Sequence, residues 1–193
     1  SADESTVLTC RDQPLRVVTA NAWFANPDYT ALVAWLSRSD ADIIALQEIT
    51  PGWALELEPF ARTYPYRKVI PREDPYGIAL LSRWPIVDVQ AMDFSGDGVP
   101  SLVADVDVQG RKLRVIALHT RWPLTPELQA ARARTLEQAA ALALTQPDAT
   151  ILLGDLNLTP YAPAFARLVA ESGLQDALAG EARPATPREH RHA

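Results

Sequence analysis

The sequence predicts a single α/β domain with mixed strand directions, and three observations carry that prediction. Two apolar runs, Leu15–Asn21 and Asp42–Glu48, bracket a stretch of helical periodicity, which is the pattern of a crossover unit with an internal parallel or mixed sheet. Between Gly77 and His119 further apolar runs follow one another through short Pro, Gly and Asp joints, the spacing of antiparallel pairing. A long helical stretch, Pro126–Leu144, then leads to the apolar run Thr150–Leu153, which is expected to be a buried strand.

The totals agree. A chain of 193 residues can bury one large core but cannot make two comfortable ones, so 1–193 is expected to be one domain. Hydrophobic content of 48% and charged content of 22% are ordinary for a globular protein, and no run approaches the roughly 20 apolar residues that cross a bilayer. A net charge of −6 argues against a broad electrostatic footprint for duplex nucleic acid, whose non-specific binding comes largely from neutralised phosphates. With Cys10 as the one cysteine there is no internal disulfide, and no Cys/His zinc cluster is present.

Taken in order, residues 1–13 are expected to be a polar lead, with neither the basic region nor the apolar core of a secretory signal. Leu15–Asn21 (LRVVTAN) is a strand that ends on an asparagine. In Tyr29–Ser37, Leu32, Val33, Trp35 and Leu36 recur at helical spacing, with Asp28 as the expected N-cap. Asp42–Glu48 is a buried strand with a polar end, and Pro51–Ala61 a helix with Trp53, Leu57 and Phe60 on one face. Tyr64–Ile70, Gly77–Ser82, Ile86–Met92, Val99–Val108 and Lys112–His119 are extended. Alternation in Val103–Val108 is expected to bury the valines and expose Asp105 and Asp107 as a solvated face rather than a metal pair. Arg67, Lys68, Arg72, Arg83 and Arg121 sit near strand ends and are expected on a solvated surface. Ala162–Glu171 is a short helix closed by Gly173. From Ala179 onward apolar residues almost vanish, and 179–193 is expected to be a loosely docked tail.

The chemistry concentrates where strands stop. Asn21, Glu48, His119, Asp155 and Asn157 each terminate an otherwise apolar run, and buried polar groups at such positions need partners or water. Asp155 and Asn157 are two apart and project on one side if the strand persists that far. Carboxylate and amide oxygens suit Mg²⁺ or Mn²⁺, which take one or two protein carboxylates and complete their shell with water and phosphate oxygens. The ends of strands in open α/β sheets are also where ligands bind.

The succession TANAW, ALQE, GIALLSRWPI, LHTRWP and GDLNLTP resembles the endonuclease/exonuclease/phosphatase superfamily of metal-dependent phosphoesterases, from about Leu15 to about Leu178. Within it the chain looks closest to a bacterial subgroup whose catalytic domain follows membrane-spanning helices. That resemblance implies a location at the cell envelope, with the cytoplasm as the alternative. It also implies a four-layer α/β sandwich, two mixed sheets packed face to face with helices outside. Glu48 would be the principal ligand of Mg²⁺ or Mn²⁺, with Asn21 beside it on the metal or its water. His119 would contact the scissile phosphate, Asp155 would deprotonate the attacking water, and Asn157 would donate to the phosphate. Asp176 would support the site wall.

Members of the superfamily continue with Thr-Trp-Pro, Ile-Asp-His and Ser-Asp-His segments, and the last Asp and His complete the site. This chain has Thr186-Pro187 without the Trp, so a C-terminally shortened fold with reduced activity is expected. His190 and His192 lie in a stretch with no apolar strand to hold them and receive no role. Two readings remain. One is a hydrolase acting on a phosphate-ester substrate, whether nucleic acid, lipid head group or small molecule. The other is a non-catalytic metal- or phosphate-binding remnant, or a homo-oligomer pairing through an open sheet edge. Trp23, Phe24, Trp84 and Trp122 lie beside the expected site and could stack on a base or cover a lipid.

Overall fold

Strict alternation along the strands sends neighbouring residues to opposite faces, and in the computed structural model each face meets a different core. The structure describes residues 5–10, 13–146, 149–177 and 179. Strands β1 (Ser5–Cys10), β2 (Gln13–Asn21), β3 (Ile43–Gln47), β4 (Tyr66–Ile70) and β5 (Ile78–Ser82) form a five-stranded sheet in the order β1-β2-β3-β5-β4. Strands β6 (Ile86–Met92), β7 (Ser101–Val108), β8 (Arg111–His119) and β9 (Thr150–Asp155) form a four-stranded sheet in sequence order. The β2–β3 and β8–β9 pairs are parallel and the others antiparallel, so both sheets are mixed.

Ile43, Ala45, Ile78 and Leu80 of the first sheet meet Leu102, Ala104, Val115 and Ala117 of the second, and this shared inner layer is the centre of the molecule. The opposite faces are covered by helices. Ile44, Leu46, Ala79 and Leu81 pack under α1 (Thr30–Arg38), α2 (Pro51–Glu56) and the 3-10 turn Glu58–Arg62. Ile116 and Leu118 pack under α3 (Pro126–Ala143), and Leu168 of α4 (Pro163–Ser172) packs against α3 residues Leu136 and Ala140. The result is the expected four-layer α/β sandwich. β3 and β5 are buried at every residue because they lie between two layers, which explains runs without polar alternation.

Several local expectations change. Part of the polar lead is β1, paired antiparallel to β2; the signal was the run Thr6–Thr9 of β-branched and apolar residues. Pro51–Ala61 is not one helix: Pro59 cannot continue an α-helical ladder, and the chain tightens to a 3-10 turn after Leu57 while keeping Trp53, Leu57 and Phe60 inward. Asp28 accepts the Thr30 N–H at 2.9 Å, one residue ahead of the cap position, which Tyr29 occupies. Asp105 is not solvated. It lies 9% exposed beneath Arg114, whose Nε is 3.0 Å from Oδ1, and Lys112, whose Nζ is 2.6 Å from Oδ2. Both partners come from β8, so no property of β7 alone reveals them. Asp107 is half-buried, and Val103, on the same outward face as Asp105, is only half-buried too. The expected tail, apart from Ala179, lies outside the described residues, as do His190 and His192.

Candidate active site

Parallel pairing in each sheet sets two strand tips side by side. Asn21 is in register with Gln47, so Glu48 stands one step beyond, and His119 is in register with Asp155. The backbone turns sharply at once: Glu48, Trp23 and Asn157 have φ of 62°, 58° and 47°. Non-glycine residues in the left-handed region cost energy that surrounding structure must hold, and such residues cluster at functional sites. Two glycines allow the close approaches. A Cβ on Gly154, at φ 130°, would lie 1.9 Å from the Leu118 carbonyl oxygen, and one on Gly77 would lie 1.8 Å from that of Ile49.

Asn21 joins the carboxylates. Its amide nitrogen donates to Glu48 Oε1 at 2.8 Å and to Asp155 Oδ2 at 3.2 Å, while its Oδ1 accepts the Trp23 N–H at 2.8 Å. Glu48 Oε2 accepts the Phe24 N–H at 2.9 Å. The amide thus turns its nitrogen to the acids, with its oxygen already holding the Trp23 backbone. Glu48 is 9% exposed, and the charged-capable group nearest it among the described ion pairs is His119, whose Nε2 is 4.0 Å from Oε1.

His119 is 2% exposed. Burial pushes its pKa below the ordinary value of 6.5, against the pull of Asp155, Glu48 and the Pro75 carbonyl, so the imidazole is neutral at pH 7. Asp155 Oδ1 accepts the Asn157 N–H at 3.0 Å. The strand ends at Asp155, and the left-handed turn at Asn157, rather than a continued extended chain, brings these two together. Asn157 donates one amide hydrogen to the Thr120 carbonyl at 2.7 Å, and its own carbonyl accepts from Arg132 at 2.8 Å. Asp176 shares with Asn21, Asp155, Thr19 and Phe165 the wall of a cavity of about 310 Å³.

The donor set fits a hard divalent cation: a nearly buried carboxylate with no Lys or Arg partner among the described residues, beside a second carboxylate held by the same amide. Among the described residues no group of three or more His, Cys, Asp or Glu side chains is placed to hold a metal by itself. Mg²⁺ does not require one, because it keeps several waters and takes one or two protein carboxylates.

Exposed apolar side chains follow these groups closely in the chain. Trp23, Trp122 and Tyr161 are 58%, 55% and 89% exposed, on the loops that leave Asn21, His119 and Asn157. Trp84 instead packs against the inner core. Four of the five basic residues near strand ends are paired rather than merely solvated: Arg72 with Asp74, Arg121 with Asp97, Arg67 with Glu58, and Arg83 at 3.9 Å from Asp40. Sequence reasoning passed over Tyr76, whose ring lies 5.3 Å from that of His119. Only its place just before GIALLS hinted at a site position.

The family model described as the endonuclease/exonuclease/phosphatase family matches residues 18–192. Sphingomyelinase C from Streptomyces griseocarneus superposes with a TM-score of 0.68 at 19% identity, over 89% of this chain and 71% of that one. Beta toxin from Staphylococcus aureus gives 0.65 at 16% identity, over 84% and 72%. D. rerio TDP2 complexed with a single-strand DNA product gives 0.64 at 20% identity, over 80% and 64%. At these identities the likeness is one of fold. No curated protein matches the sequence.

Proposed function

The chain belongs to the endonuclease/exonuclease/phosphatase family, and from that premise we propose that it is a divalent-metal-dependent phosphodiesterase whose site is the cluster Asn21, Glu48, His119, Asp155 and Asn157. The observation that carries this reading is the amide of Asn21 gripping Glu48 and Asp155 at 2.8 and 3.2 Å, which places two acids from different sheets at one point. Glu48 would hold Mg²⁺ or Mn²⁺, and a cation there would supply Lewis acidity to a phosphate oxygen.

The chain's own groups then have distinct work. Asp155, at the same point, takes the proton of the attacking water. His119, neutral at pH 7, donates a ring N–H to the phosphate as charge builds. Asn157 has a second amide hydrogen beyond the one given to Thr120, and it serves the same oxygens. The exposed Trp23, Trp122 and Tyr161, two, three and four residues along the chain from Asn21, His119 and Asn157, would favour a substrate with an apolar or aromatic flank. A sphingomyelinase and a TDP2 with DNA product are among the similar folds, so lipid and nucleic-acid diesters are the two classes to compare.

Hydrolysis of bis-p-nitrophenyl phosphate is the test. Activity should require Mg²⁺ or Mn²⁺ and fall by roughly a hundredfold or more in Glu48→Ala and in Asp155→Ala. A wild type no faster than both variants across several divalent ions would leave a non-catalytic phosphate- or metal-binding domain.

A further inference from the structure

His119 poses a problem of orientation. The ring is 2% exposed, yet neither nitrogen has a partner in hydrogen-bonding geometry among the described residues. The Pro75 carbonyl approaches it without reaching that geometry. A buried imidazole with no hydrogen bond must be held by packing.

The packing partner is Tyr76, with ring centroids 5.3 Å apart and planes at 40°. Tyr76 is fixed in turn. Arg121 places its guanidinium carbon 4.4 Å from the Tyr76 centroid, a cation-π contact, and donates from Nε to Asp97 Oδ2 at 2.5 Å. Asp97 belongs to a loop tied by Asp93, which accepts the Gly96 and Gly98 N–H groups at 2.8 Å. Arg72 bridges that loop to the other side, donating to the Gly98 carbonyl and to Asp74, and Asp74 Oδ1 accepts the Tyr76 N–H at 3.0 Å. Backbone and ring of Tyr76 are therefore both anchored.

We propose that Tyr76, held by Arg121 and Asp97, is a positioning residue for His119: the stacked ring fixes the imidazole at the strand tip without committing a ring nitrogen to a partner among the described residues. A carboxylate partner would fix the ring as well, but it would occupy one nitrogen and draw the group toward its protonated form. The inference rests on the phosphate-contact role assigned to His119 above.

The test uses the full chain with Tyr76→Phe and Tyr76→Leu, each made alone and with His119→Ala. Tyr76→Leu should lower kcat on bis-p-nitrophenyl phosphate roughly tenfold, with KM within about twofold, since small misplacements of a catalytic group cost rate rather than binding. Tyr76→Phe, which keeps the ring, should recover most of that loss. In the His119→Ala background Tyr76→Leu should cost less than about twofold, because the residue acts through the imidazole. An equal loss with and without His119 would overturn the proposal. A second readout needs no turnover: ¹³C relaxation of the His119 ring, tractable with only 3 histidines in the chain. The ring should become mobile in Tyr76→Leu and stay ordered in Tyr76→Phe, and an equally rigid ring in all three proteins would also overturn it. A chain inactive with every metal would sink the hydrolase reading while the relaxation result still decides the stack.

Discussion

The Asn21 amide nitrogen lies 2.8 Å from Glu48 Oε1, across the tips of two parallel strands and 27 residues of sequence. The same nitrogen reaches Asp155 in the other sheet, so one neutral side chain spaces two acids that would otherwise repel. Asn21→Leu keeps the volume and removes the amide. Its kcat/KM should fall by roughly 10- to 100-fold, with a weaker apparent Mg²⁺ affinity in a metal titration of activity. A change under twofold in both would show that Asn21 has no part in organising the acids.

Asp105 offers a pH test away from the site. Burial works to raise its pKa, but hydrogen bonds and charge from Arg114 and Lys112 win and hold it below the ordinary 3.8. A carboxylate with a depressed folded pKa stabilises the fold fully above its unfolded pKa, and that contribution is lost as pH falls through the folded value. Stability should therefore decline below about pH 4. Asp105→Asn should cost roughly 3 kcal/mol at pH 7, because it strands Arg114 at a site 15% exposed, and it should flatten the acid limb of the curve. Urea melts at pH 7 and pH 3 check both, and an unchanged pH slope would count against the pairing.

Gly154 precedes Asp155 and has no room for a side chain. Gly154→Ala would add a methyl where the Leu118 carbonyl oxygen is 1.9 Å away, in a backbone region closed to L residues. A loss of about 3 kcal/mol or more is expected in denaturant melts, together with reduced activity as β9 shifts Asp155 away from Asn21. A variant as stable as the wild type would mean that β8 and β9 lie further apart than described.

Much of this fold could be read from local patterns, and particular residues show where reading stops. The apolar runs ending at Asn21, Glu48, His119 and Asp155 are short-range features: β3 is buried at every residue and excludes charged groups until it emerges, whereas β9, expected to be buried, is half-buried at all six residues and still apolar up to Gly154. The starts at Pro51 and Pro126 were legible because proline at a first helical turn is a local signal, and the structure adds the Thr50 and Thr125 side chains, which accept first-turn N–H groups. Asp105 was not legible, since its cations come from a neighbouring strand. Nor was Tyr76, whose ring contact with His119 joins residues 43 positions apart.

By itself the sequence determined the strand and helix succession, the polar residues at strand ends and the family they resemble. Periodicity, capping and strand termination depend on neighbours in the chain, so they survive in one dimension. Only the tertiary structure decided that Asn21 faces the acids with its nitrogen, that His119 is buried and neutral, and that Tyr76, Arg121 and Asp97 brace it. Those outcomes depend on register between strands and on the stacking of two sheets, which convert sequence separations of up to 134 residues into a single hydrogen bond.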